Sequence, residues 1–172
     1  HYSQQLAGGK PGMHSRFIAM REFMEFHQSL GQREVDVMLE VKDKNLSAEK
    51  CLQLTNPRLT RQDLTTQWAR YKYLVLERDQ GAYTAIRALL KADAPDAQAF
   101  YTLVEQALQK ELNGPQARNA AEHVWGYVDK LASPAEKKRA LAGMAELQNG
   151  VAALPRVKRL LLGLAERHNV QY

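Results

Sequence analysis

The sequence predicts an all-α fold, a compact bundle of about seven or eight helices. Apolar residues recur at spacings of three and four along most of the chain, which is the periodicity of an amphipathic helix. Capping residues and prolines precede these segments, and glycine follows several of them. No segment shows a convincing period-two alternation of β-branched residues, which would indicate strands. Short connections and the lack of an internal repeat favour a bundle.

The N-terminal part of the sequence predicts a polar leader followed by helices. Residues 1–14 are largely polar and glycine-rich, and we expect them to be a disordered or cloning-derived leader to a single helical domain over 15–172. From 15 to about 44 the apolar residues keep helical spacing, with Gly31 either separating two helices or lying inside one.

Capping signals place the starts of the helices that follow. Thr60 with Asp63, and Ser133 with Glu136, each match the pattern of a capping box. Prolines near the starts of other apolar segments, and Asn-Gly pairs after them, mark further helix starts and stops. The expected helices cover residues 47–54, 60–78, 80–92, 95–113, 115–132 and 133–149, and a last helix begins at 155. We expect Trp125, Val128, Leu160, Leu161 and Leu164 to be largely buried.

The charge of the chain is concentrated toward its C-terminal end. The formal net charge is +5, and residues 115–172 carry 9 Lys and Arg against 5 Asp and Glu. Such an excess favours a polyanionic partner through the long-range field and counterion release. Many slightly basic proteins bind no polyanion, so charge alone leaves both interpretations open.

Several classes of protein are disfavoured. A single cysteine, Cys51, cannot form an internal disulfide or supply a zinc or iron–sulfur site, and we expect it to be buried and inert. No apolar run approaches the length of a membrane span, and the common phosphate-loop, serine-hydrolase and zinc-protease motifs are missing. We therefore expect a cytoplasmic protein without cofactor or metal, and an enzymatic role is disfavoured.

Two segments combine polar, aromatic and basic side chains. In the helix after Pro115, a stripe that includes Asn119, His123 and Tyr127 lies opposite the apolar face. This stripe is either a solvated surface or a binding surface. Gly126 beside it indicates close approach of a backbone or ligand, because a mid-helix glycine is costly.

The segment from Trp68 to Tyr73 interleaves aromatic residues with cations, a combination that RNA-binding surfaces use. Trp68 and Tyr71 share a helical face with apolar residues and are expected in the core. Arg70, Lys72 and Tyr73 are then left for a partner.

Three ordered motifs resemble the signatures of the YbgA-like family of domains of unknown function. The first is the segment 68–73, where Trp68 and Tyr71 replace two histidines of a His-Ala-Arg-His-Lys-Tyr-type run. The second and third comprise Asn119, His123, Gly126 and Tyr127, and then Gly150, Leu154, Pro155 and the closing residues 170–172. The resemblance covers about residues 60–172.

The resemblance implies an all-α bacterial cytoplasmic domain. Members occur alone or fused to a cysteine-rich iron–sulfur desulfidase domain that removes sulfur from thiouracil bases, including 4-thiouridine in tRNA. The desulfidase would supply the chemistry, and the helical domain would bind or position RNA. The expected partners are therefore RNA, above all tRNA, and a desulfidase domain or protein.

These observations lead to a non-catalytic RNA-binding accessory domain linked to thiolated-nucleoside metabolism. The expected RNA-binding residues are Arg70, Lys72, Tyr73, Asn119, His123, Tyr127, Arg156, Arg159 and Arg167. One alternative is a small-ligand-binding protein or enzyme with a pocket around His123 and Tyr127. Another is a protein-interaction module with an exposed apolar patch.

Overall fold

The computed structural model describes residues 1–171 and is built from helices, which confirms the predicted fold class. Within this range the β pairing consists of two isolated bridges in the N-terminal part. The helices are α1 (Met20–Leu30), α2 (Asn45–Thr55), α3 (Arg61–Leu76), α4 (Gln80–Leu89), α5 (Ala97–Gln109), α6 (Gly114–Val128), α7 (Pro134–Glu146), a 3₁₀ helix (Leu147–Asn149) and α8 (Leu154–Arg167). Among the described residues, no helix has the length and apolar character needed to cross a membrane.

Both capping boxes predicted from the sequence are present. The Thr60 hydroxyl accepts a hydrogen bond from the Asp63 amide at 3.2 Å, and the Asp63 carboxylate accepts one from the Thr60 amide at 2.9 Å. Ser133 and Glu136 make the same reciprocal pair at the start of α7. The Thr60 hydroxyl lowers the pKa of Asp63, and the Ser133 amide lowers the pKa of Glu136, because these donors favour the charged carboxylate. Each box satisfies backbone donors that the helix itself cannot pair.

The connection between α5 and α6 differs from the prediction. The sequence predicts that α5 ends at Asn113-Gly114, but it ends at Gln109. Asn113 instead begins α6 as its N-cap, and its side chain accepts a hydrogen bond from the Gln116 amide at 3.0 Å. A Cβ on Gly114 would overlap the carbonyl oxygen of Leu147. Close packing at the start of α6 therefore requires this glycine.

The region predicted to be helical from 15 to 44 forms one helix, α1, followed by irregular chain. Gly31 ends α1 with a φ of 59°, in the left-handed region that favours glycine. Beyond it Val35 and Val37 are exposed. The prediction was wrong here because these apolar residues stay exposed, and helices in proteins gain most of their stability from burial of an apolar face.

Residues 1–14, which the sequence analysis describes as a leader, lie against α1. The Tyr2 ring stacks on Phe26 with 4.4 Å between the ring centroids. Gln4 is buried, and its side chain donates to the Ala19 carbonyl at 3.1 Å and accepts from the Ala19 amide at 2.6 Å. Ring stacking and this pair of hydrogen bonds hold the segment in place.

Three hydrophobic clusters follow one another along the chain. The N-terminal cluster joins α1 and α2, the central cluster joins α3, α4 and α5, and the C-terminal cluster joins α6, α7, the 3₁₀ helix and α8. Trp68 and Tyr71 are buried in the central cluster, as predicted. In the C-terminal cluster Val128, Leu161 and Leu164 are buried as predicted. Trp125 and Leu160 are only partly buried and pack against that cluster from its edge.

A buried ion pair ties the N-terminal segment to the bundle. The ammonium group of Lys50 lies 2.7 Å from a carboxylate oxygen of Glu105 on α5, and Lys50 also donates to the carbonyl of Ile18. Glu105 accepts a hydrogen bond from the Met20 amide at 3.0 Å, at the start of α1. One carboxylate therefore both balances a buried charge and satisfies a backbone donor of α1.

Removal of the α3 cap should weaken the fold more than a matched change inside the same helix. We expect Thr60→Ala to lower the free energy of unfolding by about 1 kcal/mol, because it removes the acceptor for the Asp63 amide. The control is Thr65→Ala, since Thr65 is exposed and its hydroxyl donates to the Arg61 carbonyl within α3. This change should stay within about 0.5 kcal/mol or stabilise. Urea unfolding followed by circular dichroism compares the two, and equal losses would contradict the capping role.

Candidate functional site

The polar stripe predicted on α6 is present and faces outward along most of its length. His123 and Tyr127 are exposed, and Tyr127 keeps 47% of its surface accessible. Asn119, one turn earlier, is partly buried and donates a hydrogen bond to the Gln80 side chain at 3.1 Å. The stripe therefore runs from the first turn of α4 toward the C-terminal end of α6.

A cluster of two tyrosines and a lysine lies where α3 meets α6. The ammonium group of Lys72 is 4.7 Å from the centroid of the Tyr73 ring and 5.6 Å from that of Tyr127. The two tyrosine hydroxyls are hydrogen-bonded at 3.2 Å. We call these three residues the tyrosine–lysine cluster. Ring faces stabilise a cation without neutralising its charge, so Lys72 remains a positive centre.

The cluster changes the ionisation of Tyr127. The hydrogen bond from Tyr73 lowers the pKa of the Tyr127 hydroxyl most, and the charge of Lys72 lowers it further. Both effects favour the phenolate, because a donor and a cation stabilise a negative oxygen. The pKa of Tyr127 is therefore a reporter of the geometry of the cluster.

An apolar groove of about 510 Å³ lies beside the cluster, between α3, α6 and α8. Small side chains of α6 and larger ones from all three helices form its apolar lining: Ala69, Leu74, Ala117, Ala120, Ala121, Val124, Leu154, Leu161 and Leu162. Tyr73 lines the groove and also belongs to the tyrosine–lysine cluster. The two features therefore form one continuous surface.

Charged side chains from α3 and α8 also line the groove. Glu77 is 2% exposed and holds Lys158 at 2.7 Å and Arg78 at 2.5 Å. Arg70 pairs with Glu49. Arg159 has a weak hydrogen bond to a backbone carbonyl of its own helix and makes no salt bridge with any described residue. The lining is therefore positive on balance.

The remaining predicted arginines lie along the side of α8 that meets α7. Arg156 pairs with Glu146 at 2.7 Å, and Arg167 pairs with Glu136. The structure thus brings Arg70, Lys72, Tyr73, Tyr127 and Arg159 to the groove and cluster. It leaves Asn119 and His123 farther along α6, and Arg156 and Arg167 against α7 carboxylates. The exposed pairs remain reachable, since surface salt bridges are weak.

Two sequence expectations about single residues have different outcomes. Cys51 is buried as predicted, and burial raises the pKa of its thiol to about 12, so the reactive thiolate is suppressed. Gly126 does not mark a close backbone approach within the chain, because the position of a Cβ there has no described atom within 4 Å. Space above Gly126 is open beside Tyr127.

Sequence reasoning missed the groove and the residues that form it. Leu74 and Leu162 are 38% and 50% exposed, and Lys158 extends from α8 toward Glu77 at the C-terminal end of α3. A signal was available in α6, where Ala117, Ala120 and Ala121 follow helical spacing and leave little side-chain volume. Within the described residues, no group of three His, Cys, Asp or Glu side chains could hold a metal ion.

The fold and this surface define an all-α bundle domain with an aromatic and cationic surface beside an apolar groove. The chain belongs to the family described as "Protein of unknown function (DUF1722)", which matches residues 72–172 and confirms the YbgA-like resemblance. A curated relative, the UV DNA damage endonuclease of Clostridium perfringens (strain 13 / Type A), is 32% identical over 111 residues. These are 63% of this chain and 26% of the enzyme, so the chain spans about a quarter of that relative's length. No solved structure matches the chain significantly.

The ionisation of Tyr127 tests the cluster directly. Removing either lowering contribution should raise the pKa of Tyr127, so both Tyr73→Phe and Lys72→Met should raise it. Lys91→Met, an exposed lysine outside the cluster, should leave it unchanged. NMR of the tyrosine ring carbons during a pH titration measures these values, with Tyr127→Phe used for assignment. No change in either cluster variant would contradict the arrangement.

Proposed function

We propose that this chain is a nucleic-acid-binding accessory domain, and that its ligand is RNA of the tRNA class. The observation that carries the proposal is the tyrosine–lysine cluster beside the groove. Within residues 1–171, no carboxylate neutralises the Lys72 ammonium group of this cluster. The ring of Tyr127 beside it is half exposed. Cations bind phosphates and aromatic rings stack on unpaired bases, so this pairing suits single-stranded or looped nucleic acid.

The distribution of paired and unpaired cations supports the same proposal. Arg159 lines the groove and makes no salt bridge with a described residue, and the tyrosine–lysine cluster lies on the adjoining wall. Arg156 and Arg167, in contrast, are compensated by carboxylates of α7. Phosphate binding at Lys72 and Arg159 would release counterions without breaking a salt bridge. These two cations should therefore contribute more to binding than the paired arginines.

The comparisons support a nucleic-acid role at a coarser level. The name of the Clostridium perfringens relative describes an endonuclease for UV damage in DNA, and the family resemblance implies an association with tRNA chemistry. A helical segment that occurs beside different nucleic-acid enzymes fits a common binding task more easily than a common reaction. We propose RNA as the ligand, and the experiment below compares its affinity with that of single-stranded DNA.

The groove favours one rival function, the binding of a small molecule. Its volume of about 510 Å³ lies in the range of small-molecule sites, and most of its lining is apolar. His123 and Tyr127, around which the sequence placed such a pocket, are not among its lining residues. The affinity of the groove for a small molecule should not depend on Lys72, because Lys72 belongs to the tyrosine–lysine cluster and does not line the groove.

The test is a titration of tRNA and a single-stranded DNA of equal length at about 50 and 200 mM salt. Affinity for tRNA should fall steeply with salt. The double variant Lys72→Ala and Arg159→Ala should weaken binding and make the log–log salt slope shallower by about 2, or about 1 for each phosphate contact. The variant Arg156→Ala with Arg167→Ala should have a smaller effect, because those arginines are already paired.

The matched control removes two cations at the opposite end of α3. Arg58 and Lys91 are exposed, and the nearby pair Arg61–Asp93 places them at the N-terminal end of that helix. The variant Arg58→Ala with Lys91→Ala loses the same net charge but should keep the wild-type slope. Absence of tRNA binding at low salt, or equal losses in all variants, would contradict the proposal. Stronger binding of the DNA would replace RNA by DNA as the ligand.

A further inference from the structure

We propose that the groove receives one unstacked nucleobase of the bound strand, with the adjoining phosphate held at Arg159. This inference rests on the proposed function and assigns a separate role to each part of the surface. The tyrosine–lysine cluster holds the strand, and the groove accepts a base that has left the stack.

The shape and lining of the groove fit the flat face of a base. Three alanines of α6 line the groove with small side chains, and Leu74 of α3 and Leu162 of α8 add larger apolar side chains to the lining. Both leucines are substantially exposed, at 38% and 50%. A base bound against them would remove this apolar surface from water, which is favourable.

The charges around the groove select an anionic occupant. Four cations, Arg70, Arg78, Lys158 and Arg159, stand against two carboxylates, Glu49 and Glu77. Glu77 is buried between Arg78 and Lys158 and so does not repel a phosphate. An apolar lining with a positive surplus complements an amphipathic anion, which is the character of a nucleotide.

The position of Tyr73 links the groove to the strand. Its ring lines the groove and contacts the ammonium group of Lys72, and its hydroxyl bonds to Tyr127. A phosphate bound at Lys72 therefore lies next to a residue that lines the groove. In the proposed arrangement one phosphate of the strand lies at Lys72, another lies at Arg159, and a base of the strand enters the groove.

The experiment compares a short single-stranded RNA with an abasic ribose-phosphate chain that has the same number of phosphates. The wild-type protein should bind the base-bearing strand about tenfold more tightly, since stacking of one base contributes about 1–3 kcal/mol. Ala69→Phe should fill the groove, because Ala69 is exposed and lines the groove. The logarithm of the ratio between the two affinities should then fall by at least half. The control is Ala85→Phe, at an exposed position on α4, which should keep the full preference.

A second pair of variants keeps the test decisive if Ala69→Phe does not fold. Leu162→Glu adds a carboxylate at the groove, and Leu141→Glu adds the same charge at an exposed leucine of α7. If a base enters the groove, Leu162→Glu should cause at least a fivefold greater loss of RNA affinity than Leu141→Glu. Equal losses of RNA affinity in Leu162→Glu and Leu141→Glu would overturn the inference, and so would an undiminished base preference in Ala69→Phe. In either case salt-dependent binding would still support the proposed function. Absence of binding to both strands by the wild-type protein would overturn both.

Discussion

The close approach of α6 to α3 and α8 is the constraint on which the rest of the structure depends. Ala117, Ala120 and Ala121 are buried on the packing side of α6, and the distance between helix axes depends on the side chains at the contact. At the start of α6, Gly114 leaves room for the carbonyl of Leu147 that any Cβ would overlap. A larger residue at these positions would move α6 and separate Tyr127 from Tyr73.

The candidate surface follows from this packing. Because α3 and α6 meet at short range, two tyrosines and a lysine that are far apart in sequence share one contact. Because α6 presents small side chains there, α3 and α8 leave a groove above it instead of a filled interface. Arg159 on α8 then lies along the same opening, while Arg156 and Arg167 turn to the carboxylates of α7. Helix packing therefore determines which cations remain available to a polyanion.

The sequence predicts the local parts of this structure better than the long-range ones. A capping box depends on residues three positions apart, so the helix starts at Thr60 and Ser133 can be predicted directly from the sequence. Asn113 was misassigned, because the same residue type can end one helix or begin the next and only packing decides. The groove needs Leu74, Ala120 and Leu162 from three helices, and each alone looks like ordinary surface or filler. Lys72, Tyr73 and Tyr127 were identified by residue type, but their mutual contact is a tertiary feature.

The central claim is that nucleic acid binds where α3, α6 and α8 meet. An amide NMR titration of the full chain with a short single-stranded RNA at low salt tests it most directly, because it maps binding without any substitution. The account predicts the largest shifts in residues 69–77, 123–127 and 158–162, with little change in α1 and α2. Shifts centred on the N-terminal cluster, or small shifts spread evenly over the surface, would contradict it.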